Sequence, residues 1–307
     1  MKETFGQKTR RSHKRNQRVV MFWSAFVFAF VIAGVWLFRG TLFQNDSGAS
    51  SSGTNQSRHD ACGTADSRQK STDVTQAPMD HEVCQKLQDL VSQDQRVQQV
   101  IDNCEIYPED ILKMLSRNLD MLNFVLEYPE KVGQVFAETV GEVEGGEVPL
   151  LLQYDQRWGY GDYGNSSVAV SGCGPACLSM VITSLTGDDT ITPYVVAQYA
   201  SEQGYYVPGA GTAWTLMSEG AKHFGVIGEE LPLTKSIMEG VLKEGRPIIC
   251  SMRPGDFTTT GHFIVITGIK DGQFTVNDPN STERSNMLWD YDTLKPQISN
   301  LWAFQAL

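Results

Sequence analysis

Residues 19–38, VVMFWSAFVFAFVIAGVWLF, contain no charged side chain, and this uncharged run constrains the fold of the chain more than any other feature. As a helix the run would be about 30 Å long, which matches the hydrocarbon core of a bilayer. A cleaved secretory signal is the alternative, but the apolar region of such a signal spans roughly 7–15 residues and ends at small residues. This run ends in Leu37, Phe38 and Arg39. The sequence therefore predicts a single membrane-spanning helix.

The charge of the chain is divided sharply by this predicted span. Residues 1–18 carry seven Lys or Arg side chains against one Glu, and the positive-inside rule predicts that such a tail stays in the cytoplasm. Residues 40–307 carry 17 basic and 35 acidic side chains, a net charge of −18. We therefore expect the rest of the chain outside the cytoplasm, at the cell membrane. A surface this acidic repels phosphates, which argues against a nucleic-acid partner.

Composition divides the remainder into three parts. Residues 39–79 are rich in Ser, Gly, Asn and Gln, with few aliphatic side chains to bury, which is typical of a flexible linker. From residue 80 to 140, apolar side chains return at helical spacing, and Pro108 and Pro129 each suit the start of a helix. These residues indicate a small helical module, interpreted as a spacer or substrate-side cap. The Gly- and Glu-rich residues 141–147 mark a boundary.

Residues 148–307 form the main predicted domain. Its first half predicts helices from Gly174 to Leu185, from Thr192 onward, from Ala213 to Phe224 and from Thr234 to Glu244. Its second half predicts strands at 247–252, 262–269 and 273–278, with the turn Asp271-Gly272 between the last two and a closing strand at the C-terminus. Helices followed by an antiparallel sheet predict an α+β domain.

Cys173 is the candidate nucleophile of this domain. It opens a predicted helix in SGCGPACLSMVITSL, where Gly172 and Gly174 allow a tight backbone turn. The free amides and the positive dipole end of a helix N-terminus stabilise a thiolate, the reactive form of cysteine. A buried structural cysteine is the alternative, and Cys177 and Cys250 fit that alternative better. Cys84 and Cys104 could form a disulfide outside the reducing compartment, or Cys84 could be an ordinary helix residue.

A cysteine nucleophile needs a base, and the main domain contains two histidines. His262 opens an apolar strand, whereas His223 lies inside an amphipathic helix, where a solvated or packing role is the better interpretation. Asp278 ends the next predicted strand, so the intervening turn brings it to the same sheet edge as His262. A carboxylate there could orient the imidazole, although the segment Asn277-Asp278-Pro279-Asn280 is also typical of a turn.

Gln153, twenty residues before Cys173, is the candidate donor to an oxyanion, together with the backbone amide of Cys173. The alternative is a surface residue, which is the more common role of a Gln in a segment rich in Trp and Tyr. The ordered motifs QYDQRW, SGCGP, TGHFIVITG and VNDP, from about Val148 to Leu307, resemble bacteriocin-leader peptidase domains of cysteine peptidase family 39. The resemblance implies a papain-like fold in which Cys173 is the nucleophile, His262 the base, Asp278 the third triad member and Gln153 the oxyanion-hole glutamine. It implies no metal or organic cofactor.

The best-known members of that family cleave double-glycine leaders inside export transporters. This chain has one predicted anchor and no nucleotide-binding loop, so leader processing is not implied. We expect a bacterial, extracytoplasmic thiol hydrolase that cleaves peptide or related amide bonds through an acyl-enzyme. Amide transfer and cell-wall peptide hydrolysis use the same residues, and a catalytically idle domain that binds peptides or wall polymers is the alternative from another class.

Overall fold

The computed structural model describes residues 80–307. The predicted basic tail at 1–18, the predicted span at 19–38 and the predicted linker at 39–79 lie outside these residues. Among residues 80–307, no helix is both long and apolar enough to cross a bilayer.

The first described region, residues 80–131, is helical, as its apolar periodicity predicts. The helices are α1 (His81–Val91), α2 (Val97–Asp102), α3 (Glu109–Leu115) and α4 (Leu122–Lys131), with 3-10 turns at Cys104–Ile106 and Leu119–Met121. Asp80 caps α1 by accepting a hydrogen bond from the amide of Glu82. Their buried apolar side chains include Leu87, Val100, Ile111, Leu115 and Phe124. We refer to residues 80–131 as the helical module.

The two prolines of this module play different roles. Pro108 is the residue immediately before α3, as the sequence predicts. Pro129 lies inside the last turn of α4 and does not start a helix, so that prediction is wrong. Near a helix end a proline removes only one backbone donor, and α4 ends two residues later at Lys131.

The second region begins with a loop and then alternates short and long elements. The helices are α5 (Val168–Ser171), α6 (Cys173–Thr186), α7 (Pro193–Glu202), α8 (Thr215–Ser218), α9 (Lys235–Lys243), α10 (Thr282–Ser285) and α11 (Tyr291–Leu294). The strands are β1 (Asp162–Tyr163), β2 (Ser166–Ser167), β3 (Tyr206–Val207), β4 (Gly211–Thr212), β5 (Val226–Glu230), β6 (Ile248–Met252), β7 (His262–Lys270), β8 (Gln273–Asn277), β9 (Leu288–Trp289) and β10 (Ile298–Ala306). Further 3-10 turns span Gly220–Phe224 and Lys295–Gln297.

Six strands form one antiparallel sheet in the order β5-β10-β6-β7-β8-β9. The turn between β7 and β8 has positive φ at Asp271 and Gly272, 53° and 79°, as a tight two-residue hairpin requires. The hairpin brings the start of β7 and the end of β8 to the same edge. The expected mixture of helices with an antiparallel sheet is therefore confirmed, and it is consistent with a papain-like peptidase domain.

Helix α6 lies at the centre of the second region. Its residues from Gly174 to Thr183 are buried, and they share an apolar cluster with Ile249, Val265 and Trp302 of the sheet. A helix that is apolar on all sides is expected only inside a domain.

Two details differ from the sequence prediction. The predicted helix at 213–224 is only α8 followed by the 3-10 turn at Gly220–Phe224. Strand β5, whose sequence VIGEE carries little apolar alternation, was not predicted because its pairing partner β10 lies more than 60 residues away along the chain.

The helical module packs against the loop that leads to α5. The rings of Phe124 and Tyr160 stack with centroids 4.4 Å apart, and Tyr154, Tyr160 and Ala169 belong to the same apolar cluster as the module. This packing positions the module beside the N-terminus of α6.

Candidate active site

Cys173 is the first residue of α6 and is partly exposed. The capping residue before the helix is Gly172, which has no side chain to accept a hydrogen bond from the first-turn amides. The first-turn amides therefore have no side-chain acceptor from the capping residue, so this helix end can donate to an anionic group. The flanking glycines serve close packing, not the tight turn predicted from the sequence. A Cβ at Gly172 would lie 2.4 Å from the carbonyl oxygen of Val168, and one at Gly174 would lie 2.7 Å from Oγ1 of Thr212.

His262, the first residue of β7, is buried and faces Asp278, the residue after β8. Its Nε2 lies 2.7 Å from Oδ1 of Asp278, whose side chain is fully buried. This hydrogen bond occupies Nε2 and leaves Nδ1 for the Cys173 thiol, with which the ring also interacts. The structure thus brings together the three residues that the sequence singled out from α6, β7 and the end of β8.

Burial and the neighbouring charges shift the pKa values of His262 and Asp278 in opposite directions. Burial by itself lowers the pKa of His262, but the Asp278 carboxylate and the Cys173 thiol more than offset it and raise the pKa to about 10. Burial raises the pKa of Asp278, yet His262 and Arg284 outweigh that effect and leave the pKa below its usual value. The arrangement therefore favours an imidazolium beside an ionised carboxylate at neutral pH.

Arg284, in α10, is the residue of this site that sequence reasoning missed. Its Nε lies 2.5 Å from Oδ2 of Asp278, opposite the histidine. The signal available in the sequence was Ser281, whose side chain accepts from the amide of Arg284 and caps a single helical turn. No periodic pattern marks a turn this short.

Gln153 is buried beside the same site and is not a surface residue. Its amide nitrogen donates to the carbonyl oxygen of Ala169 at 2.5 Å, and its backbone amide donates to Pro279 at 2.8 Å, next to Asp278. An amide nitrogen carries two hydrogens, so one is left for a second acceptor.

A cleft of about 640 Å³ connects these residues. Cys173, Gln153 and His262 contribute to its lining from the second region, together with residues 255–261 and 280–284. Met114 and Ser116–Asp120 line it from the helical module. The module is therefore more than a remote spacer, and it agrees with the alternative of a substrate-side cap.

Three polar contacts join the module to the loops of the cleft. The Arg117 guanidinium donates to Thr259 at 3.3 Å, and the Asn118 amide donates to the backbone carbonyl oxygen of Asn280 at 2.8 Å. The Thr282 hydroxyl is hydrogen-bonded to the Asp120 carboxylate. We call residues 114–120 the module wall.

The competing candidates lie elsewhere. His223 is exposed, stacks on Tyr199 with ring centroids 4.2 Å apart, and does not line the cleft. Cys177 and Cys250 are fully buried, and burial raises the pKa of both thiols. Cys104 is a free thiol, so its suggested disulfide with Cys84 is not formed, whereas Cys84 is disulfide-bonded.

The chain is similar to a solved structure and matches a protein-family model. One match among solved structures is the peptidase domain of Streptococcus ComA, a bifunctional ABC transporter of a quorum-sensing pathway. It is 17% identical, the match covers 44% of this chain and 89% of that chain, and the TM-score is 0.35. Among curated proteins, none matches. The model of the Peptidase_C39 like family matches residues 146–305, more than half of the chain. The chain therefore belongs to the Peptidase_C39 like family.

Proposed function

We propose that this protein is a thiol-dependent hydrolase that cleaves peptide or related amide bonds, with Cys173 as nucleophile, His262 as base and Asp278 as the group that orients the histidine. The observation that carries this proposal is the hydrogen bond of 2.7 Å between His262 and Asp278 beside the Cys173 thiol, within one cleft. Membership of a peptidase family adds support, and a peptide or protein is the expected substrate.

The first chemical step uses the thiolate of Cys173 at the mouth of α6. His262 already holds the proton taken from the thiol, on Nδ1, because its Nε2 is held by Asp278. The sulfur then adds to the carbonyl carbon of the substrate, and the carbonyl oxygen becomes an oxyanion. Gln153 and the backbone amide of Cys173 donate to this oxygen. The burial of Asp278 keeps the imidazole in one orientation while the charge moves.

The second half of the reaction releases both products. The tetrahedral intermediate collapses, the C–N bond breaks, and His262 gives its proton to the leaving amine. The acyl group stays on Cys173 as a thioester. Water then gives a proton to His262 and attacks the thioester, the C–S bond breaks, and the acid product leaves the regenerated thiol.

We place this chemistry outside the cytoplasm of a bacterium, with residues 19–38 as a single-pass membrane anchor and residues 1–18 inside. The support is the uncharged run and its basic flank. The disulfide at Cys84 agrees with an oxidising compartment.

The alternative is a catalytically idle domain that binds peptides or wall polymers in the same cleft. The paired carboxylate and histidine argue against it, because binding alone does not require a buried charge next to a thiol. Wall-peptide hydrolysis and amide transfer share the same residues, so they are variants of the proposed chemistry.

The test uses the full-length chain and two readouts. Peptide-level mass spectrometry follows iodoacetamide labelling of Cys173, and a library of internally quenched fluorescent peptides reports cleavage. We expect both signals in the wild type, loss of all cleavage in Cys173→Ala, and retained cleavage in Cys177→Ala. Fast labelling without cleavage of any library peptide would favour the binding domain, and equal labelling of Cys173 and Cys104 would refute the proposed site.

A further inference from the structure

The fully buried Asp278 carboxylate is held from two sides. Its Oδ1 accepts from His262 at 2.7 Å and from the backbone amide of Asn280 at 2.8 Å. Its Oδ2 accepts from Nε of Arg284 at 2.5 Å. Each carboxylate oxygen thus faces one basic side chain, and the three groups form a line from Arg284 through Asp278 to His262.

The local sequence builds this second contact in a short loop. The Asp278 backbone carbonyl accepts from the amide of Ser281 at 3.1 Å, and its backbone amide donates to the Ser285 hydroxyl at 2.9 Å. Ser281 then caps α10 through the amide of Arg284 at 3.1 Å. One capped helical turn is therefore sufficient to return a side chain six residues later to the carboxylate.

We propose that Arg284 is a positioning residue that acts through Asp278. Its positive charge balances that of the cluster formed by the Cys173 thiolate, the His262 imidazolium and the Asp278 carboxylate. This inference rests on the proposed function of Cys173 and His262. The active form contains two negative groups, the thiolate and Asp278, and two positive groups, the imidazolium and Arg284. Without Arg284 the same cluster carries a net charge of −1 in a buried setting, where an unbalanced charge is costly.

The direction of the effect follows from the sign of the charge. Removal of a positive group makes every neighbouring deprotonation less favourable. Loss of the imidazolium proton at His262, which ends the active pH range, should therefore move to higher pH. If Arg284 only kept Asp278 in place, its loss would loosen the bond to His262, and the alkaline limit would move to lower pH.

The buried titratable groups near this line are a tyrosine and a cysteine, and burial raises the pKa of both. Tyr154, from the segment before α5, is buried, and its pKa is raised to about 12 mainly by burial. Burial also raises the pKa of Cys177, which acts on the cluster from α6. Asp120, which is hydrogen-bonded to Thr282 of α10, and Glu283, the neighbour of Arg284, are both exposed carboxylates. Arg284 is thus the charged group besides His262 that contacts Asp278 among residues 80–307.

The test compares Arg284→Met, which removes the charge at similar length, with Arg284→Lys, which keeps the charge. The cleavage rate of the library peptide cleaved best is measured from pH 4 to 11 in the full-length chain, because cleavage needs the imidazolium as proton donor, and Cys173 alkylation by iodoacetamide is the second readout. We expect the alkaline limit of the Arg284→Met cleavage profile to rise by about one pH unit. Arg284→Lys should lie close to the wild type, and Arg96→Met, which removes an exposed arginine of the helical module, should match it.

Thermal melts monitored by circular dichroism show which variants are folded. If the alkaline limit of cleavage by folded Arg284→Met is unchanged or lower, or if Arg284→Lys behaves as Arg284→Met, the charge-balancing role is wrong. A variant that does not fold is replaced by Arg284→Gln, to which the same criteria apply. If the wild type itself shows no selective alkylation of Cys173, the proposed function fails instead, so the two failures are distinguishable.

Discussion

The two walls of the cleft differ in how their polar groups are held. On the sheet side, Asp278 and His262 are buried, and their hydrogen bonds run between fixed elements. On the module wall, Arg117 and Asp120 are exposed and reach the opposite loops through single contacts. Charge-assisted bonds that are shielded from water are strong and expensive to break, whereas exposed polar contacts contribute little. We infer that the buried pair on the sheet side serves the proposed reaction at Cys173. The module wall would instead modulate which substrates enter the cleft.

The largest expected effect separates two histidines of the same domain. His262→Ala removes the base beside Cys173, and the cleavage rate should fall by roughly a thousandfold or more. His223→Ala, which removes an exposed ring stacked on Tyr199, should change the rate less than about twofold. Steady-state cleavage of library peptides at pH 7 measures both. Comparable losses in the two variants would contradict the assignment of the proposed base to His262.

The second effect concerns stability on the sheet side. The folded pKa of His262 is raised to about 10, so its contact with Asp278 stabilises the fold fully below about pH 6.5, its unfolded pKa, and this contribution is lost as pH rises through 10. The difference in unfolding free energy between wild type and Asp278→Asn should therefore shrink between pH 6 and pH 10. One pKa unit corresponds to about 1.4 kcal/mol, and we expect the change to exceed that value.

Urea denaturation at pH 6, 8 and 10 measures this difference. Asp102→Asn, which alters an exposed carboxylate of the helical module, serves as the control and should show no such trend. A difference between wild type and Asp278→Asn that stays constant with pH would mean that the histidine does not carry the extra proton. The Arg284–Asp278 contact also contributes to the difference in unfolding free energy. That contribution does not vary between pH 6 and pH 10, because arginine stays charged.

The smallest effect belongs to the module wall. Asn118→Ala removes the hydrogen bond to the carbonyl oxygen of Asn280, and it should raise KM for library peptides by about two- to tenfold, equivalent to roughly 0.5–1.5 kcal/mol. The alkylation rate of Cys173 by iodoacetamide, which needs no substrate cleft, should stay the same. Asn103→Ala, at an exposed position away from the cleft, is the matched control. An equal fall in alkylation would show that the wall supports the chemistry itself.

Local patterns in the sequence predicted most elements around the site. Helix α6, helix α9 and the β7–β8 hairpin follow from apolar spacing, caps and the Asp271-Gly272 turn, because these signals depend on neighbouring residues. The same patterns placed Cys173 at a helix start and His262 at a strand end. They did not reveal β5, and they misplaced a helix start at Pro129.

The sequence by itself determined the type of the main elements around the site, the candidate residues and the order in which they occur along the chain. Only the tertiary structure decided that Cys173 and His262, 89 residues apart, share one cleft, that Arg284 reaches Asp278, and that the module wall closes the other side. The physical reason is the distance along the chain over which each feature is specified. A cap or a turn is specified within a few residues, whereas these contacts depend on how buried surfaces from distant segments pack together.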